Sequence, residues 1–510
     1  MQGLMMDVPL TITEIMRFAE RNYPGTEVVS VTGEDPLHRC TYGDVFRRAR
    51  RVANLLASLD LKPAARVATL AWNDYRHLEL YYGVSCAGFV LHTVNPRLYH
   101  EQISYIINHA EDDVIFLDPM FVPVVEALAP QFEKQPHLIE LCSADRVPES
   151  SLELQSYEAA LAAQPDSFSW PQLDERAASA LCYTSGTTGN PKGVLYSHRA
   201  TVLHSYASCL PNAINLGHRD SALPVVPMFH ANAWGMPYSG PVAGAKLVFP
   251  GPKMGDGETL QQLIASEGVT IALGVPTVWL GLLTYLRESG KQVPSLTRTV
   301  VGGSACPLAI MHEFKERHGV TTHHAWGMTE MSPLGTLNSP RVDVDQLSDA
   351  ERDGILAKQG AAVFGVEMKI VDDDDNELPW NGTDFGSLKV RGWWVCDDYY
   401  RLEGESDAHD DNGWFETGDV ATLDATGSMQ ITDRTKDVIK TGGEWISSIE
   451  LENVAVGHPA IAEAAVIGVA HKKWAERPLL IAVKATDTDV EKAELLAWMG
   501  ERVANWWLPD

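Results

Sequence analysis

Apolar positions recur every three to four residues in two N-terminal segments, 11–23 and 41–59. This period predicts two amphipathic helices. Short apolar runs then follow at regular intervals and alternate with helical patterns. These runs are 66–71, 89–94, 114–118, 138–142, 178–182, 223–226, 246–249, 269–273 and 297–301. The alternation is typical of βαβ units, so we predict an α/β fold with a largely parallel sheet.

The pattern changes after Gly365, where shorter strands and turns replace the long alternation. From Asp437 onward, a helix near 448–456 and two later strand-like runs indicate a separate compact α/β piece. A chain of 510 residues exceeds what a single core of about 300 residues accommodates. We therefore predict a large N-terminal α/β body, big enough for more than one sheet, and a small C-terminal α/β piece. The four aspartates 372–375 are interpreted as a solvated turn and not as a metal site.

Charge and cysteine content narrow the class of partner. The chain has 40 Lys and Arg against 68 Asp and Glu, which gives a formal net charge of -28. This balance argues against nucleic acid and anionic membranes as main partners. The seven cysteines are scattered and form no C-x-x-C pair, so neither a disulfide framework nor a zinc site is indicated. With no long apolar run and no signal-peptide pattern, we expect a cytoplasmic protein without membrane insertion.

A Gly/Thr/Ser-rich segment, 183–193, directly follows the apolar run 178–182. Its glycines let backbone N–H groups approach phosphate oxygens, its hydroxyls offer further donors, and Lys192 supplies a positive charge. A flexible turn would explain the glycines but not this combination. The P-loop pattern fails because Pro191 and Gly193 flank the lysine. We predict that a triphosphate is bound by Thr184, Ser185, Gly186, Thr187, Thr188, Gly189 and Lys192.

This segment resembles the signature loop of the adenylate-forming superfamily, which includes acyl-CoA synthetases, luciferases and peptide-synthetase adenylation domains. Further segments that look like the family's motifs follow in the family's order, at 302–305, 326–330, 416–419, 433–437 and 440–447. The resemblance covers essentially the whole chain and favours the acyl-CoA synthetase branch. It implies a large N-terminal adenylation domain with packed sheets, residues 1–433, and a small mobile C-terminal domain, residues 434–510.

The segment 326–330 reads Trp-Gly-Met-Thr-Glu. By its chemistry, Thr329 can donate a hydrogen bond to a phosphate oxygen, and Glu330 can bind a Mg²⁺ ion that bridges the phosphates. Trp326 offers an aromatic face to adenine. The resemblance assigns nucleotide contacts to Gly303, Ser304, Ala305, Trp326, Gly327 and Met328, and metal contacts to Glu330 and Thr184.

The later motifs concern the ribose, the hinge and coenzyme A. An ionised carboxylate accepts two hydroxyl hydrogen bonds, so Asp419 fits a ribose-binding role. The resemblance adds Arg434 as a ribose or phosphate contact and Lys436 as the hinge between the two domains. It also assigns the passage for the pantetheine arm of CoA to Lys440, Gly442, Gly443, Glu444 and Trp445.

The segment 227–234 resembles the wall of the family's acyl pocket. It implies that His230 lies near the carboxylate of the acid and that Trp234 gates or walls the acyl channel, with Gly302 and Pro333 as further substrate contacts. A single histidine beside apolar residues is otherwise more often structural. The pair His323-His324 is interpreted as structural, because adjacent residues on a strand face opposite ways.

The family's chemistry uses ATP, Mg²⁺ and CoA. The acid is joined to the α-phosphate of ATP while pyrophosphate leaves, and the CoA thiol then displaces AMP. Thr184, Lys192, His230, Thr329 and Glu330 are the expected catalytic residues. The family also uses a lysine near its C-terminus, and Lys484 and Lys492 lie too early to match it. We expect the 510-residue form to have an incomplete C-terminal domain and to bind nucleotide but adenylate slowly; normal pyrophosphate exchange would contradict this.

The identity of the acid rests on resemblance alone. The segment 9–20 and the overall sequence look most like the 3-methylmercaptopropionyl-CoA ligases of dimethylsulfoniopropionate demethylation, which implies 3-methylmercaptopropionate as substrate. Medium-chain fatty acids stay an alternative, because specificity depends on pocket depth. A carrier-protein loading enzyme, a luciferase-like oxygenase and a non-catalytic nucleotide or acyl binder also stay open. Related enzymes are often dimers, so a homodimer is expected.

Overall fold

The computed structural model describes residues 1, 3–184, 190–402, 408–441, 444–485 and 488–509, and for residues 444 and 445 only the backbone. The chain divides into two compact units. Unit 1 comprises Met1–Val366 with Gly392–Asp407, and unit 2 comprises Glu367–Arg391 with Ala408–Asp510. The functional boundary between residues 433 and 434, which rests on the hinge motif, stays a prediction.

The strands follow the βαβ alternation expected from the sequence. In unit 1 they are β1 (Glu27–Ser30), β2 (His38–Thr41), β3 (Arg66–Leu70), β4 (Val90–Thr93), β5 (Val114–Leu117), β6 (His137–Glu140), β7 (Leu154–Ser156), β8 (Ala178–Tyr183), β9 (Gly193–Ser197), β10 (Ser221–Pro224), β11 (Lys246–Phe249), β12 (Ile271–Gly274), β13 (Arg298–Val301), β14 (Thr321–Gly327), β15 (Leu334–Leu337) and β16 (Gly360–Ala362). Unit 2 contains β17 (Val366–Val371), β18 (Phe385–Gly392), β19 (Phe415–Leu423), β20 (Ser428–Arg434), β21 (Ile439–Thr441), β22 (Glu444–Ile446), β23 (Ile461–His471) and β24 (Ala475–Lys484).

The helices lie between these strands. They are α1 (Ile12–Asn22), α2 (Tyr42–Ala57), α3 (Tyr75–Ser85), α4 (His100–Ala110), α5 (Val122–Leu128), α6 (Tyr157–Ala162), α7 (His198–Ser208), α8 (Ala231–Trp234), α9 (Met236–Ala243), α10 (Gly257–Glu267), α11 (Pro276–Ser289), α12 (Leu308–His318), α13 (Asp349–Leu356), α14 (Ser448–Val456) and α15 (Lys492–Gly500). Within the described ranges, no helix has the length and apolar character needed to cross a membrane.

Unit 1 holds two largely parallel sheets. The first has the order β7-β6-β5-β3-β4-β8-β9, with β9 antiparallel at its edge. The second has the order β16-β15-β14-β13-β12-β10-β11-β1-β2, in which the strands from β14 to β1 run parallel. Strands buried on both faces explain the continuous apolar runs of the sequence.

Apolar helix faces close the cores of both sheets. Helices α10, α11 and α12 cover the second sheet, and the side chains of Leu260, Trp279 and Phe314 pack against it. Helices α4 and α5 cover the first sheet through Ile103 and Val125. These cores hold the strand ends in fixed positions, so the loops after them can carry a site.

In unit 2, strands β17, β18, β19 and β20 follow one another in one sheet, and β22-β21-β24-β23 form another. A cluster of buried side chains that includes Ile439, Leu451 and Met499 joins the second of these sheets to α14 and α15. The acidic segment after β17 forms a tight turn, in which the N–H of Asn376 donates to the carboxylate of Asp372 at 2.8 Å. The turn interpretation of this segment therefore agrees with the structure.

Candidate active site

Strands β10, β12, β13 and β14 are parallel neighbours, so their carboxyl ends meet at the same edge of the second sheet. In open α/β sheets, ligands bind at this edge. Three of the predicted segments leave from it: 227–234 shortly after β10, 302–305 after β13, and 328–330 after β14. The fold thus brings together residues that are about a hundred positions apart in the sequence.

A cavity of about 60 Å³ lies among these segments. It is lined by Ile214, His230, Ala231, Trp234, Val300, Gly302, Gly303, Ala325, Trp326, Gly327, Met328, Thr329, Pro333 and Leu334. Nine of the predicted site residues, Pro333 among them, therefore line this cavity. The lining is mainly apolar, with the imidazole of His230 and the hydroxyl of Thr329 as its polar side chains. This composition suits a small apolar group that ends in a polar head.

The segment that carries His230 and Trp234 is strained. Ala231, Asn232, Ala233 and Trp234 have φ values of 43°, 53°, 49° and 55°, so α8 is a left-handed turn. The left-handed conformation costs roughly 1–2 kcal/mol for each residue that is not glycine. The side chain of Asn232 offsets part of this cost, because its Oδ1 accepts a hydrogen bond from the hydroxyl of Tyr81 at 3.1 Å. Strain of this kind is concentrated at functional sites.

His230 keeps exposed surface while protein atoms surround it on most sides, as expected for a side chain in a deep cleft. Desolvation lowers the pKa of its imidazole below the ordinary value. The ring is therefore neutral at pH 7. A neutral imidazole can donate one hydrogen bond to an oxygen of an acid and adds no positive charge to the cavity.

Two glycines allow the close approach of the segments that form the cavity. A Cβ atom on Gly302 would lie 3.2 Å from the Trp234 ring, and one on Gly327 would lie 2.0 Å from the carbonyl oxygen of Pro333. The second distance excludes any side chain at position 327. The glycines that the sequence motifs share are thus required by packing, in addition to any contact with a nucleotide.

The two ends of the predicted phosphate loop are joined by a pair of hydrogen bonds. The N–H of Thr184 donates to the carbonyl oxygen of Lys192 at 2.9 Å, and the N–H of Lys192 donates to the Thr184 hydroxyl at 3.1 Å. The ammonium of Lys192 lies over the ring of Tyr399, 4.7 Å from its centre. The other residues predicted for this loop, Ser185, Gly186, Thr187, Thr188 and Gly189, lie outside the described residues.

Thr329 and Glu330 are both buried, at 7% and 6% exposure, and each accepts a hydrogen bond from a tyrosine. The hydroxyl of Tyr196 donates to the carbonyl oxygen of Thr329 at 2.6 Å. The hydroxyl of Tyr399 donates to Oε1 of Glu330 at 2.7 Å. Burial raises the pKa of both phenols, so they stay donors at neutral pH.

The oxygens of Glu330 and Thr329 are hard donors of the type that Mg²⁺ prefers. Across the described ranges, no group of three or more His, Cys, Asp or Glu side chains could hold a metal ion. A Mg²⁺ ion in proteins is commonly bound by one or two carboxylates together with substrate phosphates. The residues present therefore fit a metal that arrives with a nucleotide.

In unit 2, Asp419 and Arg434 lie side by side because they pair in register across β19 and β20. The guanidinium Nε of Arg434 is 2.9 Å from Oδ1 of Asp419. The neighbouring Asp433 is fully buried and accepts hydrogen bonds from the N–H and the hydroxyl of Ser448, at 2.5 Å and 3.1 Å. Asp433, three positions before the predicted hinge residue Lys436, is thus bonded to the start of α14.

Lys436 lies in an exposed turn between β20 and β21. Lys440 lies on β21, where its ammonium is 3.5 Å from Oδ1 of Asp373. Of the other residues predicted to contact coenzyme A, Gly442 and Gly443 lie outside the described residues, and Glu444 and Trp445 are described only as backbone of β22.

Sequence reasoning missed Tyr196, Tyr399 and Ile214. No motif marks them, since Tyr196 lies past the phosphate loop and Tyr399 lies about seventy residues after Glu330. The pair His323-His324 has backbone partners: His324 Nε2 accepts from the N–H of Cys306 at 3.3 Å, and a ring nitrogen of His323 lies 2.9 Å from the carbonyl oxygen of Asn338. This agrees with the structural interpretation.

Comparison with known proteins identifies the family. The family of AMP-binding enzymes matches residues 17–400, and the C-terminal domain of AMP-binding enzymes matches residues 450–510. The 3-methylmercaptopropionyl-CoA ligase of Ruegeria pomeroyi is 52% identical over 511 residues, which cover 100% of this chain and 94% of that protein. The medium-chain-fatty-acid–CoA ligase of Ectopseudomonas oleovorans is 50% identical over 511 residues, which cover 100% of this chain and 93% of that protein.

Solved structures share the fold. The anthranilate CoA ligase AuaEII in complex with anthranoyl-AMP superposes with a TM-score of 0.86 at 23% identity, covering 99% of this chain and 93% of that one. ATP-bound MatB from Rhodopseudomonas palustris gives a TM-score of 0.80 at 24% identity, covering 98% and 94%. These structures confirm the α/β fold class, and the family matches confirm the resemblance inferred from the motifs. The chain belongs to the family of AMP-binding enzymes and, within it, to the AMP-forming acyl-CoA ligases.

Proposed function

We propose that this chain activates a short carboxylic acid, 3-methylmercaptopropionate, through an acyl-adenylate to its CoA thioester. The cavity of about 60 Å³ carries this proposal. A cavity of this size favours a short tail: 3-methylmercaptopropionate has four heavy atoms beyond its carboxylate, whereas octanoate has seven. The name of the Ruegeria pomeroyi relative supports the same acid.

The acid enters with its tail against Trp234, Gly302 and Pro333 and its carboxylate toward His230. Because His230 is neutral, its N–H orients one carboxylate oxygen, and the other oxygen stays free to attack the α-phosphate of ATP. A bond forms between this oxygen and the α-phosphorus while the bond to pyrophosphate breaks. Placing the two reactants next to each other supplies much of the rate enhancement.

Lys192, Thr184 and Thr329 donate to the phosphate oxygens and offset the charge that develops on the leaving pyrophosphate. Ser185, Gly186, Thr187, Thr188 and Gly189 add N–H and hydroxyl donors from the same loop. Trp326, Gly327 and Met328, with Gly303, Ser304 and Ala305, enclose the adenine. Glu330 would hold a Mg²⁺ ion, with Thr184 as a further oxygen ligand, and such an ion would supply positive charge against the phosphates.

Asp419 accepts hydrogen bonds from the ribose hydroxyls, and Arg434 contacts the ribose or a phosphate. Lys436 absorbs the backbone rotation between the two half-reactions. Lys440, Gly442, Gly443, Glu444 and Trp445 line the passage of the pantetheine arm. The CoA thiol then attacks the acyl carbon, the bond to AMP breaks, and the thioester forms.

Binding of acyl-sulfamoyl adenosines tests the proposal, because these analogues join the acyl chain to adenosine without any chemical step. We expect the 3-methylmercaptopropionyl and butyryl analogues to bind at least tenfold more tightly than the octanoyl analogue in isothermal titration calorimetry. Tighter binding of the octanoyl analogue would assign the chain to medium-chain fatty acids, as in the Ectopseudomonas relative. Binding of none of them would contradict the adenylate site.

We further propose that the enzyme acts in the cytoplasm, as a homodimer, in dimethylsulfoniopropionate demethylation. All seven cysteines are free thiols, which is the state that a reducing compartment maintains. The dimer rests on the family resemblance, and multi-angle light scattering at micromolar concentration checks it: a mass of about twice 56.0 kDa is expected.

A further inference from the structure

A short segment of unit 1, residues 396–401, is hydrogen-bonded to the backbone at or next to two charged residues, Glu330 and Lys192. The N–H of Cys396 donates to the carbonyl oxygen of Glu330 at 2.8 Å, and the N–H of Tyr400 donates to the carbonyl oxygen of Gly193 at 2.8 Å. The segment is therefore tied to the residue after Lys192 at one point and to Glu330 at another. Tyr399 lies between these two attachments.

The side chain of Tyr399 contacts both charged groups. Its hydroxyl donates to Glu330 Oε1 at 2.7 Å, and the Lys192 ammonium lies 4.7 Å from the centre of its ring. The tyrosine is 8% exposed, so water competes little with either contact. A cation over an aromatic ring within about 6 Å is attracted by the ring quadrupole. The hydroxyl of Tyr399 thus contacts the Glu330 carboxylate, and the face of its ring contacts the Lys192 ammonium.

We propose that Tyr399 is the positioning residue that presents Glu330 to a divalent cation. Its hydroxyl donates to Oε1 of Glu330 and fixes the rotamer of this carboxylate. Oε2 is thereby left to bind the metal that accompanies the nucleotide. The ring keeps the Lys192 ammonium from forming a direct ion pair with the same carboxylate, since such a pair would compete with the metal. This inference rests on the proposed role of Glu330 and Lys192.

The chain offers a matched control. Tyr399→Phe removes the hydroxyl that bonds to Glu330 and keeps the ring under Lys192. Tyr400→Phe removes a hydroxyl from the adjacent residue of the same segment, whose ring lies 5.8 Å from that of His109. Binding of Mn²⁺ in the presence of ATP, followed by electron paramagnetic resonance, reports on the metal without any turnover. ATP binding in EDTA, followed by calorimetry, reports on the nucleotide alone.

We expect Tyr399→Phe to weaken Mn²⁺ binding in the presence of ATP by about tenfold, because a hydrogen bond to a charged group is lost. Tyr400→Phe should change it less than twofold. ATP binding in EDTA should change less than twofold in both variants. If Tyr399 acts through Glu330, the effect of Tyr399→Phe should disappear in a Glu330→Gln background, as a double-mutant cycle detects.

Three results would overturn the inference: unchanged Mn²⁺ binding in Tyr399→Phe, an equal loss of ATP binding in EDTA, or a full effect that persists in the Glu330→Gln background. A wild-type chain that binds ATP but gains no Mn²⁺ affinity from it would contradict the proposed metal role of Glu330 itself. The two failures are therefore distinguishable.

Discussion

The hydrogen bond between Tyr196 and Thr329 allows a sharp test of how the fold supports the site. The phenol of Tyr196, 4% exposed on β9, donates to the carbonyl oxygen of Thr329 at 2.6 Å. Tyr196→Phe leaves that buried carbonyl without its donor, which costs about 1–3 kcal/mol. Because burial raises the pKa of this phenol, the bond is present at every pH at which the protein is handled.

Tyr42→Phe is the matched control. The phenol of Tyr42 is also fully buried, and it donates to the carbonyl oxygen of Ala245 at 2.5 Å, a residue that does not line the cavity. Both substitutions delete one hydroxyl from one buried bond to a backbone carbonyl. Urea unfolding followed by tryptophan fluorescence should therefore show a similar loss of stability for both, about 1–3 kcal/mol.

Ligand binding should separate the two variants. Tyr196→Phe frees the turn that carries the Thr329 hydroxyl, and a loss of about 1 kcal/mol of binding free energy corresponds to roughly fivefold weaker binding. Calorimetry with 3-methylmercaptopropionyl-sulfamoyl adenosine measures this directly. Tyr42→Phe should bind as the wild type does. Equal affinity in both variants would refute the claim that Tyr196 supports the site through Thr329.

Four further results are expected. Trp234→Ala should enlarge the cavity and move the preference toward the octanoyl analogue by about tenfold in calorimetry, and an unchanged preference would show that Trp234 does not limit the tail. The affinity for the 3-methylmercaptopropionyl analogue should stay nearly constant between pH 7 and 8, because desolvation lowers the pKa of His230 and the ring is mainly neutral over that range; a cationic His230 would instead make the affinity fall as the pH rises through its titration. Asp433→Ala should lower the stability of unit 2 by about 1–3 kcal/mol in thermal unfolding, since two hydrogen bonds from Ser448 lose their acceptor. Ellman's reagent should label the native chain slowly at pH 8 and all seven thiols after unfolding, because burial raises the pKa of Cys86, Cys142, Cys209 and Cys306 to about 12 and that of Cys182 to about 11.

Much of the fold was predictable because burial imposes a period on the sequence. The helix expected over 41–59 is α2 (Tyr42–Ala57), and the run 114–118 is β5 (Val114–Leu117). The order of the strands within each sheet was not predictable. It depends on contacts between residues far apart, such as the pairing of β1 with β11, which joins the N-terminus to a strand more than two hundred residues later.

The chemistry of the site was readable where residue types cluster in sequence, as at Trp326–Glu330. Other features carry no local signal. Nothing in the segment 231–234 predicts four consecutive left-handed residues, because that conformation is held by packing around Asn232 and not by a local preference. Likewise, Tyr399 contacts Glu330 only because the chain returns to unit 1 at residue 392.

The central claim is that this chain joins an acid to CoA at the expense of the α–β phosphate bond of ATP. Mass spectrometry of the products formed from 3-methylmercaptopropionate, ATP and CoA at micromolar enzyme tests it most directly. We predict AMP, pyrophosphate and the thioester in equal amounts. Formation of ADP and orthophosphate, or of AMP with no thioester while CoA is present, would contradict it.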